Sequence, residues 1–213
     1  MLLRLSEQLD IPLRERNVIL VAAGYAPVFD ERPLASPEMA AARQAVERVL
    51  KGHEPFPALA IDRHWQLVSA NAAVAPLLAG VDAALVKPPV NVLRLSLHPS
   101  GLAPRIANLA EWRAHLLMRL RIQIEQTADA VLIDLFAELS KFPATNMLKA
   151  RMPPPRDETA GVFVPLQLVT DAGKLSFLST TTVFGTPIDV TLAELALECF
   201  FPADDATAQA LQR

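Results

Sequence analysis

Chemistry would begin at the histidines and the thiol. The chain has four histidines, His53, His64, His98 and His115, and a single cysteine, Cys199. The histidines lie far apart with no metal-ligand spacing, and a lone thiol can neither close an intrachain disulfide nor hold zinc. There is no His-Glu-x-x-His, no Gly-x-Ser-x-Gly and no phosphate-cradling glycine loop. No nucleophile is paired with a base. An enzyme reading therefore has no positive residue-level support, and no metal or cofactor is expected.

One cation stands out. The segment Arg105–Glu125 reads as a long helix with Ile106, Leu109, Leu117 and Leu120 on one face. At 100° per residue, Arg113 falls near the centre of that stripe. A guanidinium keeps its charge and is costly to bury alone. Three partners would answer it: an internal carboxylate such as Glu111 or Asp134, solvent reached by snorkelling, or the anionic head of a ligand seated in an apolar cavity. Asn71 ends one apolar run and starts another segment, so its amide is either a helix N-cap or a reader of a ligand head group. Trp65 and Trp112 suit core packing or a ligand wall. His98, in the turn His98-Pro99-Ser100-Gly101, is a rim candidate or an ordinary loop residue. His115 falls opposite the apolar face and reads as solvated.

Those residues need elements to hold them. Leu2 to Leu9 and Leu13 to Ala23 read as two short helices split by Asp10-Ile11-Pro12 and closed by Gly24. A proline-bearing linker follows, and Ser36-Pro37 opens a helix with Met39, Val46 and Leu50 on its apolar face. Ala58–Asp62 and Gln66–Ala70 flank Arg63-His64-Trp65 as a hairpin. Asn71–Ala79 reads as a short helix. Val90–Leu97 is ambiguous, because Leu93, Leu95 and Leu97 alternate as a strand would in a segment short enough to be a helical turn. Asp129–Leu139 is a second long helix, and Met152–Pro155 a stiff loop. Val162–Thr170 and Lys174–Phe184 pair across Asp171-Ala172-Gly173. Leu195, Leu197, Cys199 and Phe201 alternate with Glu194, Ala196 and Glu198, as in a strand with one apolar face. The fold class is α+β: a PAS-like antiparallel sheet with helices on one face, preceded by two short helices that form either a free hairpin or the tail of a larger bundle. The divisions are 1–27 for those helices, 28–56 for a linker and connecting helix, 57–203 for the PAS-like domain and 204–213 for a tail.

Composition narrows the setting. Of 213 residues, 52% are hydrophobic and 20% charged, which suits a compact fold and argues against disorder. The net charge is −3, with no basic excess of the kind DNA-binding domains carry, so this chain alone is expected to bind DNA weakly or not at all. The lone cysteine suggests a reducing compartment, the start lacks a signal-peptide core, and no run approaches the roughly 20 apolar residues of a membrane span. A cytoplasmic protein with no membrane partner is expected. The run Arg119 to Arg121 reads as a short charged surface patch.

Four blocks carry a resemblance. They are Leu95-Ser96-Leu97-His98-Pro99-Ser100-Gly101-Leu102 with Ile106-Ala107-Asn108 and Trp112-Arg113; Trp65-Gln66-Leu67-Val68-Ser69-Ala70-Asn71-Ala72; Leu175 to Thr180 with Phe184-Gly185-Thr186-Pro187, Thr191 to Leu195 and Phe200 to Asp204; and Leu13-Arg14-Glu15-Arg16-Asn17 with Ala22 to Pro27. Together they resemble the MmyB-like transcription regulators. The resemblance implies an N-terminal helix-turn-helix domain of the XRE class joined to a C-terminal PAS-like domain associated with fatty-acid-like ligands. Only the closing helices of the first domain have counterparts here, so DNA contact is expected through the missing helix-turn-helix. The expected protein is a sensor whose small-molecule ligand tunes DNA binding, working as a homodimer because symmetric operators are read by two-fold dimers. The alternatives are a dimerisation domain with a filled core and an enzyme acting on a small apolar acid.

Overall fold

A computed structural model describes residues 1–144, 163–171 and 173–212. The expected loop Met152–Pro155 lies outside them, as do Val162 at the start of an expected strand and Ala172 of the expected turn. Five strands form one sheet: β1 (Ala58–Ile61), β2 (Leu67–Ala70), β3 (Leu166–Thr170), β4 (Gly173–Val183) and β5 (Ala196–Pro202). Their spatial order is β2-β1-β5-β4-β3, with every neighbouring pair antiparallel. The helices are α1 (Leu2–Gln8), α2 (Leu13–Ala22), α3 (Ala40–Gly52), α4 (Val92–Leu97), α5 (Leu109–Thr127), α6 (Ala130–Ser140), α7 (Val190–Ala193) and α8 (Asp205–Leu211). This is the α+β, PAS-like plan expected from the residues, preceded by helices.

Side-chain alternation on the strands sorts the core into two layers. Leu166 and Leu168 of β3 and Leu175 and Phe177 of β4 pack with α4, α5 and α6 in the larger cluster. Ala58 and Ala60 of β1, with Leu197 and Cys199 of β5, face the other way and meet Val46 and Leu50 of α3. The connecting helix thus covers part of the sheet face opposite the main helical layer.

Local signals explain most element ends. Asn91 caps α4 by accepting from the Arg94 N–H at 3.0 Å. Leu93, Leu95 and Leu97 are all buried although they point in different directions around α4, so a short helix buried over much of its circumference produced the strand-like alternation. Helix α5 ends at Ala128 in the left-handed region, and Asp129 caps α6 through the Val131 N–H at 2.8 Å. The segment after Asn71 forms only a single 3₁₀ turn, Ala75–Leu78. Residues 204–213, expected as a tail, contain α8: Asp204 caps it through the Thr207 N–H at 2.7 Å, and the fully buried Thr207 hydroxyl accepts from Ser176 N at 2.9 Å. A seven-residue helix whose apolar packing comes from Ala210 and Leu211 leaves little periodicity to read.

Candidate functional site

A cavity of about 110 Å³ lies between the sheet and the α4–α5 layer. Its walls come from Leu59 of β1, Leu168 of β3, Phe177 of β4, Phe200 of β5, Leu93 and Leu95 of α4, and Trp112 and Leu116 of α5, with Val74, Leu77 and Leu78 on a further side. Among the described residues the lining is apolar except at Ser96, Arg119 and Glu198. A buried water needs roughly 10–15 Å³ and two to four polar partners. The space therefore admits several waters while offering them few partners, a setting that favours an apolar occupant.

Both tryptophans belong to this wall, and both indole N–H groups are already committed. Trp112 Nε1 donates to Ser96 Oγ at 3.0 Å, and Trp65 Nε1 donates to Gln123 Oε1 at 2.8 Å. What the two rings offer a ligand is apolar surface on the cavity side rather than a donor. Trp65 sits at φ 63° in the β1–β2 turn, a region a bulky aromatic seldom adopts. The turn around it holds this conformation from several sides: Asp62 Oδ1 accepts from His64 N and Gln66 N, while the carbonyls of Arg63, His64 and Trp65 accept from Gln123 Nε2, Asn91 Nδ2 and Val92 N.

The charged end of the cavity is an ion pair between α5 and β5. Arg119 Nη2 donates to Glu198 Oε1 at 2.5 Å and Nη1 donates to Oε2 at 3.3 Å. Thr181 on β4 joins them, accepting from Arg119 at 3.0 Å and donating to Glu198 at 2.8 Å. The Arg119 guanidinium also lies 4.9 Å from the Trp65 ring centre. Glu198 is only 4% exposed, and Arg119 and Thr181 supply its hydrogen bonds there. His115, one turn before Arg119, is tilted over Trp112 at 5.6 Å between ring centres and is half-buried. Burial, aided by the Arg119 charge and opposed by Glu198, holds its imidazole below the usual histidine range. That corrects the reading of His115 as a solvated side chain.

Of the site residues expected from sequence, the structure brings Trp65 and Trp112 together on the cavity and leaves three elsewhere. Arg113 does not line it. Its Nη2 donates to the Ser140 carbonyl at 2.8 Å, with the Leu139 carbonyl at 3.4 Å, at the C-terminal end of α6. A cation there meets orphan carbonyls and the negative end of the helix dipole. Neither Glu111 nor Asp134 pairs with it. The displacement has a plain cause: α5 has two packing partners, turning Leu109, Trp112, Leu116 and Leu120 into the core while the side bearing Arg113 and Leu117 faces α6. A single averaged stripe puts Arg113 at the centre of both.

Asn71 is also away from the cavity. Its Oδ1 accepts from Ala58 N at 3.1 Å, and its Nδ2 donates to the carbonyls of Phe56 at 2.8 Å and Leu50 at 3.1 Å. It ties the end of α3 to the start of β1. His98 closes its own turn, Nδ1 accepting from Ser100 N at 3.0 Å, and meets the edge of Phe142.

A second polar network runs from the Trp65 turn to the N-terminal helices. Arg14 on α2 pairs with Glu31 and, at 2.6 Å, with Glu194 at the end of α7. Glu194 lies 3.8 Å from Arg63, and Arg63 lies 3.3 Å from Asp129, which His64 also meets at 3.0 Å. The Arg14 guanidinium is held charged above its ordinary range by Glu194 and Glu31. For Asp129, burial opposes ionisation, but the His64 and Val131 hydrogen bonds and the Arg63 charge outweigh it, and the carboxyl titrates below its ordinary range.

An antiparallel sheet under a helical layer, with an apolar cavity between the two, is the arrangement of a PAS-like ligand-binding domain. Residues 42–213 match the MmyB-like transcription regulator ligand binding domain, and the chain belongs to that family. No match is found among curated proteins. Among the described residues no cluster of histidine, cysteine and carboxylate side chains could hold a metal, and no helix is long and apolar enough to cross a membrane.

Proposed function

We propose that the cavity takes the alkyl chain of a fatty-acid-like amphiphile, and that occupancy alters the DNA affinity of a cytoplasmic, homodimeric regulator. The observation that carries this is the cavity between sheet and helices, apolar on all sides except at Ser96 and the Arg119–Glu198 pair. A cavity between a sheet and its helices is also where a bound molecule presses on two layers at once.

The route outward begins at Trp65. Its ring lines the cavity, and the two residues before it, Arg63 and His64, carry the ionic network toward Glu194 and Arg14. A ligand that moves the indole biases that turn, and through it the seating of α1 and α2, which resemble the closing helices of the helix-turn-helix domain. An occupant shifts this equilibrium only as far as it prefers one arrangement over the other. With a net charge of −3, DNA contact falls to the helix-turn-helix part of the regulator rather than to this domain.

Native mass spectrometry of the purified protein tests the reading, since it reports bound mass and stoichiometry together. A lipid-sized adduct on a dimer is expected. A monomer removes the dimer from the proposal. Protein without an adduct that also fails to respond to added alkyl amphiphiles removes the ligand.

A further inference from the structure

Resting on the alkyl-chain part of that reading and departing from a fatty acid at the head, we propose that the ligand's head group is uncharged: a hydroxyl, amide or ester, rather than a carboxylate or an ammonium. Among the described residues the charged groups on the cavity wall are Arg119 and Glu198, and they neutralise each other across two hydrogen bonds. That part of the wall therefore has one positive and one negative group and no net charge to offer.

A carboxylate head has two ways to enter. Beside the intact pair it lies next to the like charge of Glu198. Displacing Glu198 from Arg119 leaves a carboxylate that is 4% exposed, with Thr181 as its remaining hydrogen-bond donor in this cluster. An ammonium head meets the same difficulty with the signs exchanged. A neutral dipolar head avoids both: it donates to Glu198 or accepts from Arg119 while the pair stays closed. The indole donors cannot take over the anion-binding role, because both are spent on Ser96 and Gln123. Arg113, the other cation considered for this task, does not line this cavity and reaches the end of α6 through Nη2.

The two tryptophans of the chain both line the cavity, so intrinsic fluorescence reports its occupancy directly. The probes are 1-decanol, decanoate and decylammonium, which share a chain and differ in head charge, titrated at neutral pH below their micelle-forming concentrations. The alcohol is expected to bind roughly tenfold or more tightly than either ion. Decanoate binding as tightly as the alcohol overturns the head-group assignment and leaves the cavity reading standing. No response to any of the three overturns both.

The variant Glu198→Gln sharpens the test. It keeps the shape and an acceptor for Arg119 but removes the countercharge, so decanoate affinity is expected to rise by roughly an order of magnitude while decanol affinity changes little. A folded Glu198→Gln protein with unchanged selectivity overturns the role given to the pair. The wild-type series decides the matter alone if that variant does not fold.

Discussion

Replacing Asn71 with alanine separates a fold contact from a ligand contact. The Asn71 amide makes three hydrogen bonds, at 2.8, 3.1 and 3.1 Å, all to backbone groups. Alanine removes them together and leaves the buried Ala58 N–H without its partner, while the Leu50 carbonyl keeps the His53 N–H at 3.3 Å. Each bond contributes on the order of 0.5–1.5 kcal/mol net, and buried groups left unpaired add to the loss, so about 3 kcal/mol is expected. For a chain of this size that is roughly a 6–12 °C fall in Tm. The assay is a far-UV circular dichroism melt beside a decanol titration followed by tryptophan fluorescence. The Tm is expected to fall while decanol affinity, measured well below the new midpoint, stays within about twofold. An unchanged Tm with lost decanol binding would refute the reasoning and return Asn71 to the ligand.

Four further outcomes follow from named contacts. Gly101→Ala should destabilise strongly, because the added Cβ would lie 2.3 Å from the Leu95 backbone carbonyl oxygen; a melt within about 1 °C of wild type would refute the close approach. Arg113→Met should cost on the order of 1 kcal/mol through the lost contacts at the end of α6 and leave decanol affinity unchanged, so a weakened titration would put Arg113 back on the ligand. His115 has a lowered pKa when folded, so the unfolded chain binds a proton first as pH falls below about 6.5, and folding stability drops there. His115→Asn should flatten the stability profile between about pH 5 and 7, leaving the acid loss through Glu31, Asp129 and Glu138, whose folded pKa values are depressed and whose stabilisation disappears only as pH falls through them; an unchanged slope near neutrality in denaturant titrations would count against this. Glu194→Gln removes the carboxylate shared by Arg14 and Arg63 and should speed hydrogen exchange of α2 amides roughly tenfold, whereas unchanged protection would detach the network from the helices.

Elements with a regular apolar period are legible from residue types. The β1–β2 hairpin, β4, β5 and the long helices fall where alternation and helical spacing place them, within a few residues. So do the tight points at Gly24 and Asp129. The misplacements share a different cause. Arg119 looks like part of a short charged run, yet it is three residues after Leu116 and seven after Trp112, which puts it on their face of α5. Glu198 looks like the solvent side of a half-buried strand, as Glu194 and Ala196 do beside it. That inference assumes a sheet with water on one side.

In this sheet α3 covers β1 and β5 from behind, and α4 to α6 lie in front. Alternation along β5 therefore separates two interiors rather than an interior from a surface, and a charged residue on either side needs a partner. Arg119 is that partner, supplied from an α5 position that the averaged stripe leaves outside the core. The same logic applies to Arg113, whose charge is answered by the carbonyls ending α6. A lone cation on an apolar helix face thus reveals only that a counter-group exists. Whether that group is a backbone carbonyl, a buried carboxylate or a ligand depends on which neighbour the face meets, and for this chain the neighbours divide two arginines on one helix between a structural cap and the polar end of the cavity.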